Sequence, residues 1–136
     1  MSVLLDTGIV YAYYDRRDRW HARARALIER ERRGLILPAP VIPEVDHLLG
    51  HRLGGPSRQI FYQGIVEGYY LVEDLPRRAY ARVADLNRRL DTCDLGFVDG
   101  AIIALAEALR VSRVATTEIR RFEPLAAAFD LHLLPE

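Results

Sequence analysis

The stretch that decides the fold reads Ser2-Val3-Leu4-Leu5-Asp6-Thr7-Gly8-Ile9-Val10-Tyr11-Ala12. Its first part is a short apolar run that stops at Asp6, which predicts a buried strand. The residues from Thr7 onward can turn directly into a helix. A buried strand that leads into a helix is typical of the strand–helix units of α/β proteins.

The same alternation continues along the rest of the chain. Short apolar runs predict further strands at 35–37, 69–72, 113–115 and 131–133. Helices are predicted between them, at 18–32, 43–49, 58–66, 76–90, 97–109 and 121–129. Because short apolar strands separated by helices favour a parallel sheet covered by helices, we expect an α/β fold. No linker or repeat divides residues 1–136, so a single domain is expected.

The composition limits the kind of protein further. The chain has 136 residues, 50% of them hydrophobic, which is enough for one compact core. No apolar run approaches the roughly 20 residues of a membrane span, and the start lacks a secretion signal. The single cysteine, Cys93, excludes an intrachain disulfide framework and a multi-cysteine zinc site. We therefore expect a cytoplasmic protein without a membrane segment.

All the basic residues of the chain are arginines. The 19 basic and 19 acidic side chains balance, and lysine does not occur. A Walker A loop needs a lysine to reach phosphates, and Schiff-base chemistry needs an amine. A phospho-acceptor receiver domain also usually keeps an active-site lysine. These classes are therefore excluded in their standard form.

Five acidic residues follow strands or begin helices instead of lying among arginines on polar helix faces. They are Asp6 after the first strand, Glu44 in the helix after the second, Asp94 and Asp99 around the start of the helix at 97–109, and Glu118 after the fourth strand. The carboxyl ends of parallel strands meet at one edge of a sheet, where ligands bind. Four separate segments are therefore expected to bring carboxylates to one crevice.

Carboxylates gathered in a crevice repel one another, and arginine partners or a hard divalent cation can relieve this. Mg²⁺ typically binds through one or two carboxylates plus waters and leaves room for phosphate oxygens. The pattern thus indicates a metal-dependent nuclease. Each residue also has a structural alternative. Asp94 could cap the helix at 97–109, Glu44 could interact with its helix dipole, and Glu118 could pair with Arg120 or Arg121.

Four motifs in order resemble a known family. They are Leu4-Leu5-Asp6-Thr7, Pro38-Ala39-Pro40 leading to Glu44-Val45-Asp46, Leu95-Gly96-Phe97-Val98-Asp99, and Ala115-Thr116-Thr117-Glu118 before Phe122. Together they resemble a PIN domain, and more narrowly the VapC toxins of bacterial toxin–antitoxin pairs. The resemblance covers nearly the full chain.

The resemblance implies a three-layer α/β/α sandwich with a central, mainly parallel sheet, often a homodimer, that cleaves RNA with Mg²⁺ or Mn²⁺. Asp6 and Asp99 would be the principal metal ligands, and Glu44 would complete the catalytic acidic set. Glu118 would hold a second-metal or water-positioning place, and Thr116 would form a hydrogen bond within the site. The family more often has Asp at the position of Glu118. The extra methylene suggests contact with the metal only through water.

The expected function is that of a metal-dependent endoribonuclease acting as a toxin, with RNA as substrate and a cognate antitoxin as partner. By the resemblance, an antitoxin side chain could pair with the carboxylates and block the metal. Arg120 and Arg121 are candidate contacts for RNA phosphates. A non-catalytic binding module, whose acidic residues are satisfied by arginine, stays open. A haloacid-dehalogenase-type phosphatase is disfavoured, because that class has Asp-x-Asp where this chain has Asp6-Thr7-Gly8.

Overall fold

The computed structural model describes residues 1–90, 92 and 95–136. The strands are β1 (Val3–Leu5), β2 (Leu35–Pro38), β3 (Leu71–Glu73), β4 (Arg113–Ala115) and β5 (His132–Leu134). The helices are α1 (Thr7–Tyr14), α2 (His21–Arg30), α3 (Val41–Arg52), α4 (Gly55–Val66), α5 (Arg77–Arg89), α6 (Gly96–Leu109) and α7 (Ile119–Phe129). Among the described helices, none combines the length and the apolar character that a membrane span requires.

The strands form one parallel sheet in the order β3-β2-β1-β4-β5. The chain builds outward from β1 to β3 through α1–α4, then returns past β1 to β4 and continues to β5. Because crossovers between parallel strands are right-handed, this reversal places α1–α4 on one face and α5–α7 on the other. The α/β/α sandwich with a parallel sheet is thus confirmed.

The core lies on both faces of β1, the central strand, whose three residues are fully buried. Helix α6 is nearly as buried, because its residues from Asp99 to Ala106 are small or apolar apart from the first. The carboxylate of Asp99 is therefore held at the edge of an apolar interior. That placement is costly for a charge unless a cation or a hydrogen-bond donor compensates it.

Some helices begin elsewhere than predicted. Helix α2 begins at His21. Asp18, the predicted start, lies in the turn before the helix, where its side chain accepts a hydrogen bond from the backbone nitrogen of Trp20 at 2.8 Å. Helix α4 begins at Gly55, ahead of the predicted residue 58. Pro56 lies in its first turn, where the missing N–H group has no helical partner to lose. Local turn chemistry, which apolar periodicity does not report, sets both starts.

Candidate active site

A cleft of about 750 Å³ opens at the carboxyl edge of the sheet. It lies where β1 and β4 are neighbours, which is the place where the strand order reverses. The chain leaves these two strands toward opposite faces of the sheet, so a crevice remains between the segments that follow them. The starts of α1, α3, α6 and α7 contribute its walls.

Asp6 is fixed in this cleft by bonds to both of its carboxylate oxygens. Its Oδ1 accepts a hydrogen bond from the backbone nitrogen of Thr7, and its Oδ2 accepts one from the hydroxyl group of Thr116, both at 2.8 Å. The residue is only 3% exposed. Burial raises the pKa of Asp6, and the two hydrogen bonds oppose that rise. The carboxylate is therefore held in one orientation.

Thr116 connects Asp6 to the segment that carries Glu118. Its buried hydroxyl group donates to Asp6 and accepts a hydrogen bond from the backbone nitrogen of Glu118 at 2.9 Å. One hydroxyl group therefore satisfies polar groups of both segments. The two acidic residues are held in relation to each other through a side chain that does not itself line the cleft.

Asp99 lies in the first turn of α6 and is only 5% exposed. The pKa of Asp99 is raised to about 7; burial is the largest cause, the charge of Arg121 opposes the rise, and the carboxylates of Asp6, Glu44 and Glu118 contribute to it. The Nε atom of Arg121 lies 3.4 Å from Oδ2 of Asp99. The four carboxylates are thus close enough to influence one another.

Glu44 and Glu118 are the exposed members of the group. Glu44 lies in the first turn of α3, and its Oε1 accepts a hydrogen bond of 2.5 Å from the hydroxyl group of Thr7. Glu118 lies at the N-cap position of α7. The cleft therefore has a buried pair of carboxylates and a solvent-facing pair.

The structure brings most of the predicted site residues together. Asp6, Glu44, Asp99, Glu118 and Arg121 all line the cleft. Asp94 lies outside the described residues, and Leu95 occupies the N-cap position of α6.

Of the two arginines predicted to contact RNA phosphates, one lines the cleft and the other does not, because of the rotation of α7 about its axis. Arg121 lines the cleft beside Glu118, whereas Arg120 is exposed and does not contribute to its lining. Phe122 and Leu125 are buried and fix the rotation of the helix. Residues three or four apart share a helix face, so Arg121 lies on the same side as Glu118 and Leu125.

Further residues that the sequence did not assign to the site also line the cleft, among them Thr7, Tyr11, His47, Arg52 and Phe97. The guanidinium group of Arg52 lies 5.1 Å from the centroid of the Tyr11 ring, which brings the end of α3 against α1. The sequence does contain a signal for His47, because it follows Glu44 by three residues and residues at that spacing lie on the same face of a helix. The pairing of Arg52 with Tyr11 joins distant segments and has no local signal.

The donor set suits a hard divalent cation that retains water. Within residues 1–90, 92 and 95–136, no group of three or more His, Cys, Asp or Glu side chains is placed so that it could together hold a metal ion. Mg²⁺ seldom needs three such side chains, since it usually binds one or two carboxylates and keeps several waters. Asp6 and Asp99 supply two buried carboxylates of this kind, which fit such an ion.

Few basic side chains of the protein offset the negative charge of the cleft carboxylates. Among the described residues, Arg121 is the one basic side chain that pairs with a cleft carboxylate, and Asp6, Glu44 and Glu118 form no ion pair. Repulsion among the acidic residues is therefore only partly relieved in the metal-free protein.

Comparisons with known proteins agree with this architecture. Residues 3–127 match the model of the PIN domain family. A ribonuclease of Mycobacterium tuberculosis, VapC26, is 22% identical over 123 residues, which is 90% of this chain and 91% of that protein.

Solved structures are also similar. VapC20 of Mycobacterium tuberculosis, a toxin that cleaves the sarcin-ricin loop, superposes with a TM-score of 0.80 at 21% identity, covering 94% of this chain and 96% of the other. FitAcB from Neisseria gonorrhoeae gives a TM-score of 0.71 at 18% identity, with 98% and 96% covered. At these identities the structures establish the fold, and the family match extends over most of the sequence. The chain belongs to the PIN domain family.

Proposed function

We propose that this PIN domain is a metal-dependent endoribonuclease that hydrolyses RNA phosphodiester bonds as the toxin of a toxin–antitoxin pair. The observation that carries the proposal is the convergence of Asp6, Glu44, Asp99 and Glu118 on one cleft at the strand-order reversal. The similarity to the ribonuclease VapC26 and to the RNA-cleaving toxin VapC20 supports RNA as the substrate class.

Asp6 and Asp99 would hold Mg²⁺, for which Mn²⁺ could substitute, because they are the buried carboxylates of the cleft. When bound, the cation supplies Lewis-acid stabilisation of the charge that develops on the phosphodiester. The hydrogen bonds from Thr7 and Thr116 keep the Asp6 oxygens oriented before substrate arrives. Such preorganisation removes the need to reorder the site during the reaction.

The two exposed carboxylates have different surroundings and so different proposed roles. Glu44 completes the negative charge of the metal site, and the hydroxyl group of Thr7 holds its carboxylate. Glu118 faces solvent beside Arg121 and would accept a proton from an attacking water molecule. Its longer side chain, relative to the Asp more usual in the family, suits contact through water.

Arginine around the cleft would offset the repulsion between RNA and the acidic residues. Backbone affinity for nucleic acid is mainly electrostatic, so a cleft of this kind needs both bound cation and basic side chains. Arg121 lines the cleft at α7 and Arg52 lines it at the end of α3. We propose that Arg121 and Arg52 contact RNA phosphates, and that Arg121 is the nearer of the two to the phosphate that reacts.

Incubation of the purified protein with total RNA tests the function. Discrete cleavage is expected with Mg²⁺ or Mn²⁺, and none with EDTA or with the Asp99→Asn variant. Cleavage that persists in the variant would contradict the proposed site. Absence of cleavage in total RNA and in a panel of structured RNAs, together with no metal binding, would favour the non-catalytic binding module.

A cognate antitoxin is the proposed protein partner. Apolar side chains are exposed along and after α4, including Ile60 at 62%, Val66 at 78% and Leu71 at 60%. Of these, Ile60 also lines a tyrosine-rich cavity of about 210 Å³ between α1, α2 and α4. Exposed apolar side chains beside a cavity are typical of protein interaction sites. Co-expression with the protein encoded next to this gene should yield a complex that Ile60→Asp weakens.

We also propose that the protein forms a homodimer and acts in the cytoplasm, as implied by its resemblance to the toxins. Light scattering of the isolated chain at micromolar concentration gives the mass directly. A mass of twice the 15.5 kDa of the chain is expected, and a monomer at all concentrations would contradict the dimer.

A further inference from the structure

Arg121 is the counter-ion of the acidic cleft in the metal-free protein. Its Nε atom lies 3.4 Å from Oδ2 of Asp99, and its charge lowers the pKa of both Asp99 and Asp6. Within the described part of the chain, no other ion pair reaches a cleft carboxylate. The guanidinium group therefore binds the same carboxylate that the proposed function assigns to a metal ion.

The attachment of Arg121 allows its charged end to leave Asp99 without disturbing the core. Helix α7 is anchored by Phe122 and Leu125, which are fully buried or nearly so. The side chain of Arg121 is 43% exposed, whereas that of Asp99 is 7% exposed. The carboxylate is thus fixed and the guanidinium group has solvent-facing space, so the arginine is the partner that can move.

We propose that Arg121 and the divalent cation compete for Asp99, and that the cation releases Arg121 to bind a phosphate of the RNA. This inference rests on the proposed function. A guanidinium group and a divalent cation repel each other at one carboxylate, so binding of the ion disfavours the Arg121–Asp99 pair. The released arginine remains at the cleft wall, where it can form a two-pronged contact with a phosphate.

The competition has a thermodynamic consequence. Arg121 weakens metal binding when RNA is absent, because its pair with Asp99 must first break. RNA removes that competitor by binding the guanidinium group itself. Metal and RNA therefore strengthen each other's binding through one side chain, and the coupling is equal in both directions. The cleft would take up its metal most readily together with its substrate.

The decisive measurement is the dissociation constant of Mn²⁺ in the absence of RNA. Electron paramagnetic resonance reports the concentration of free Mn²⁺ during the titration. The variants are Arg121→Gln and, as the matched control, Arg120→Gln, which removes the same charge one residue away from the cleft. Arg121→Gln should bind Mn²⁺ about fivefold more tightly, as expected for loss of a partly exposed ion pair. Arg120→Gln should stay within about twofold of the wild type, since a distant exposed charge is screened.

Equal or weaker Mn²⁺ binding in Arg121→Gln would overturn the competition, as would an identical gain in both variants. If neither the wild type nor Arg121→Gln binds Mn²⁺, the proposed function fails, and this inference fails with it. Circular dichroism and thermal unfolding without metal should show that both variants keep the fold.

The release of Arg121 onto RNA has its own test. Cleavage efficiency, kcat/KM, is measured at saturating Mn²⁺ over a range of salt concentrations. The slope of log(kcat/KM) against log[salt] is negative, and loss of one phosphate contact should make it less steep by about one in Arg121→Gln. The slope should stay unchanged in Arg120→Gln. Unchanged slopes in both variants would overturn the phosphate contact.

Discussion

The hydroxyl group of Thr116 donates a hydrogen bond of 2.8 Å to Oδ2 of Asp6, joining two residues that lie 110 positions apart in the chain. The contact forms because β1 and β4 are neighbouring parallel strands, with Leu5 paired to Ala115. Each strand ends one residue before a member of the pair. The sheet register therefore orients the first carboxylate of the site.

Replacement of Thr116 by valine should destabilise the protein and impair RNA cleavage. Valine keeps the shape of the side chain but removes the donor to Asp6 and the acceptor for the backbone of Glu118. Leaving such buried groups unpaired costs about 1–3 kcal/mol. Urea unfolding without metal measures the loss. Thr116→Ser keeps the hydroxyl group and should lose much less; equal losses in both variants would assign the effect to packing alone.

Asp99→Asn should abolish RNA cleavage and keep the fold. The amide preserves the shape of the buried side chain and removes the negative charge that the proposed metal needs. Asp6→Asn should have the same effect, and Glu118→Gln a smaller one, because Glu118 is proposed to act on water and not to hold the metal ion. Cleavage assays with matched circular dichroism spectra test the series. Full activity in Asp99→Asn would show that the site lies elsewhere.

The metal-free protein should lose stability as the pH rises from about 4 to about 7. Burial raises the pKa of Asp99 from 3.8 to about 7 in the folded state, so between these values the folded protein binds more protons than the unfolded chain. Its stability contribution is fully present below 3.8 and is lost as the pH passes through about 7. The pKa of Asp6 is raised as well and acts in the same direction.

Added Mg²⁺ should reverse this trend. The ion requires ionised carboxylates, so it should raise the Tm more at pH 8 than at pH 6. Thermal unfolding with Mg²⁺ or EDTA at each pH provides the measurement. Asp99→Asn is the control, in which both the pH dependence and the Mg²⁺ effect should shrink. A Mg²⁺ effect that is equal at both pH values would contradict the assignment of Asp99 as a ligand.

Gly8→Ala should destabilise the protein through a single contact. A Cβ atom on Gly8 would lie 2.1 Å from Oγ1 of Thr117, which is closer than any normal contact, and 3.4 Å from its Cβ. Thr117→Ala removes the clashing atom. In that background Gly8→Ala should be neutral or stabilising, because alanine is the better helix former by about 1 kcal/mol. Urea unfolding of the four proteins gives the coupling; additive effects would contradict the contact.

Much of the fold and of the acidic cluster follows from local sequence. Strand β4 was predicted with its observed ends, and α6 within one residue of its start. The positions of Asp6, Glu44 and Glu118 after strands predicted their convergence, because parallel strands share a carboxyl edge. Apolar periodicity and the strand–helix alternation carry this information, since each depends only on neighbours in the chain.

The tertiary structure alone decided which segments touch. Nothing local states that β4 inserts beside β1, yet this order places Thr116 against Asp6. Arg120 and Arg121 are equivalent in the sequence, and the packing of α7 on the core selects the second for the cleft. Apolar patterning thus determined the elements and the edge where the acidic residues gather. Strand order and helix rotation depend on long-range packing, and they determined the partners of each carboxylate.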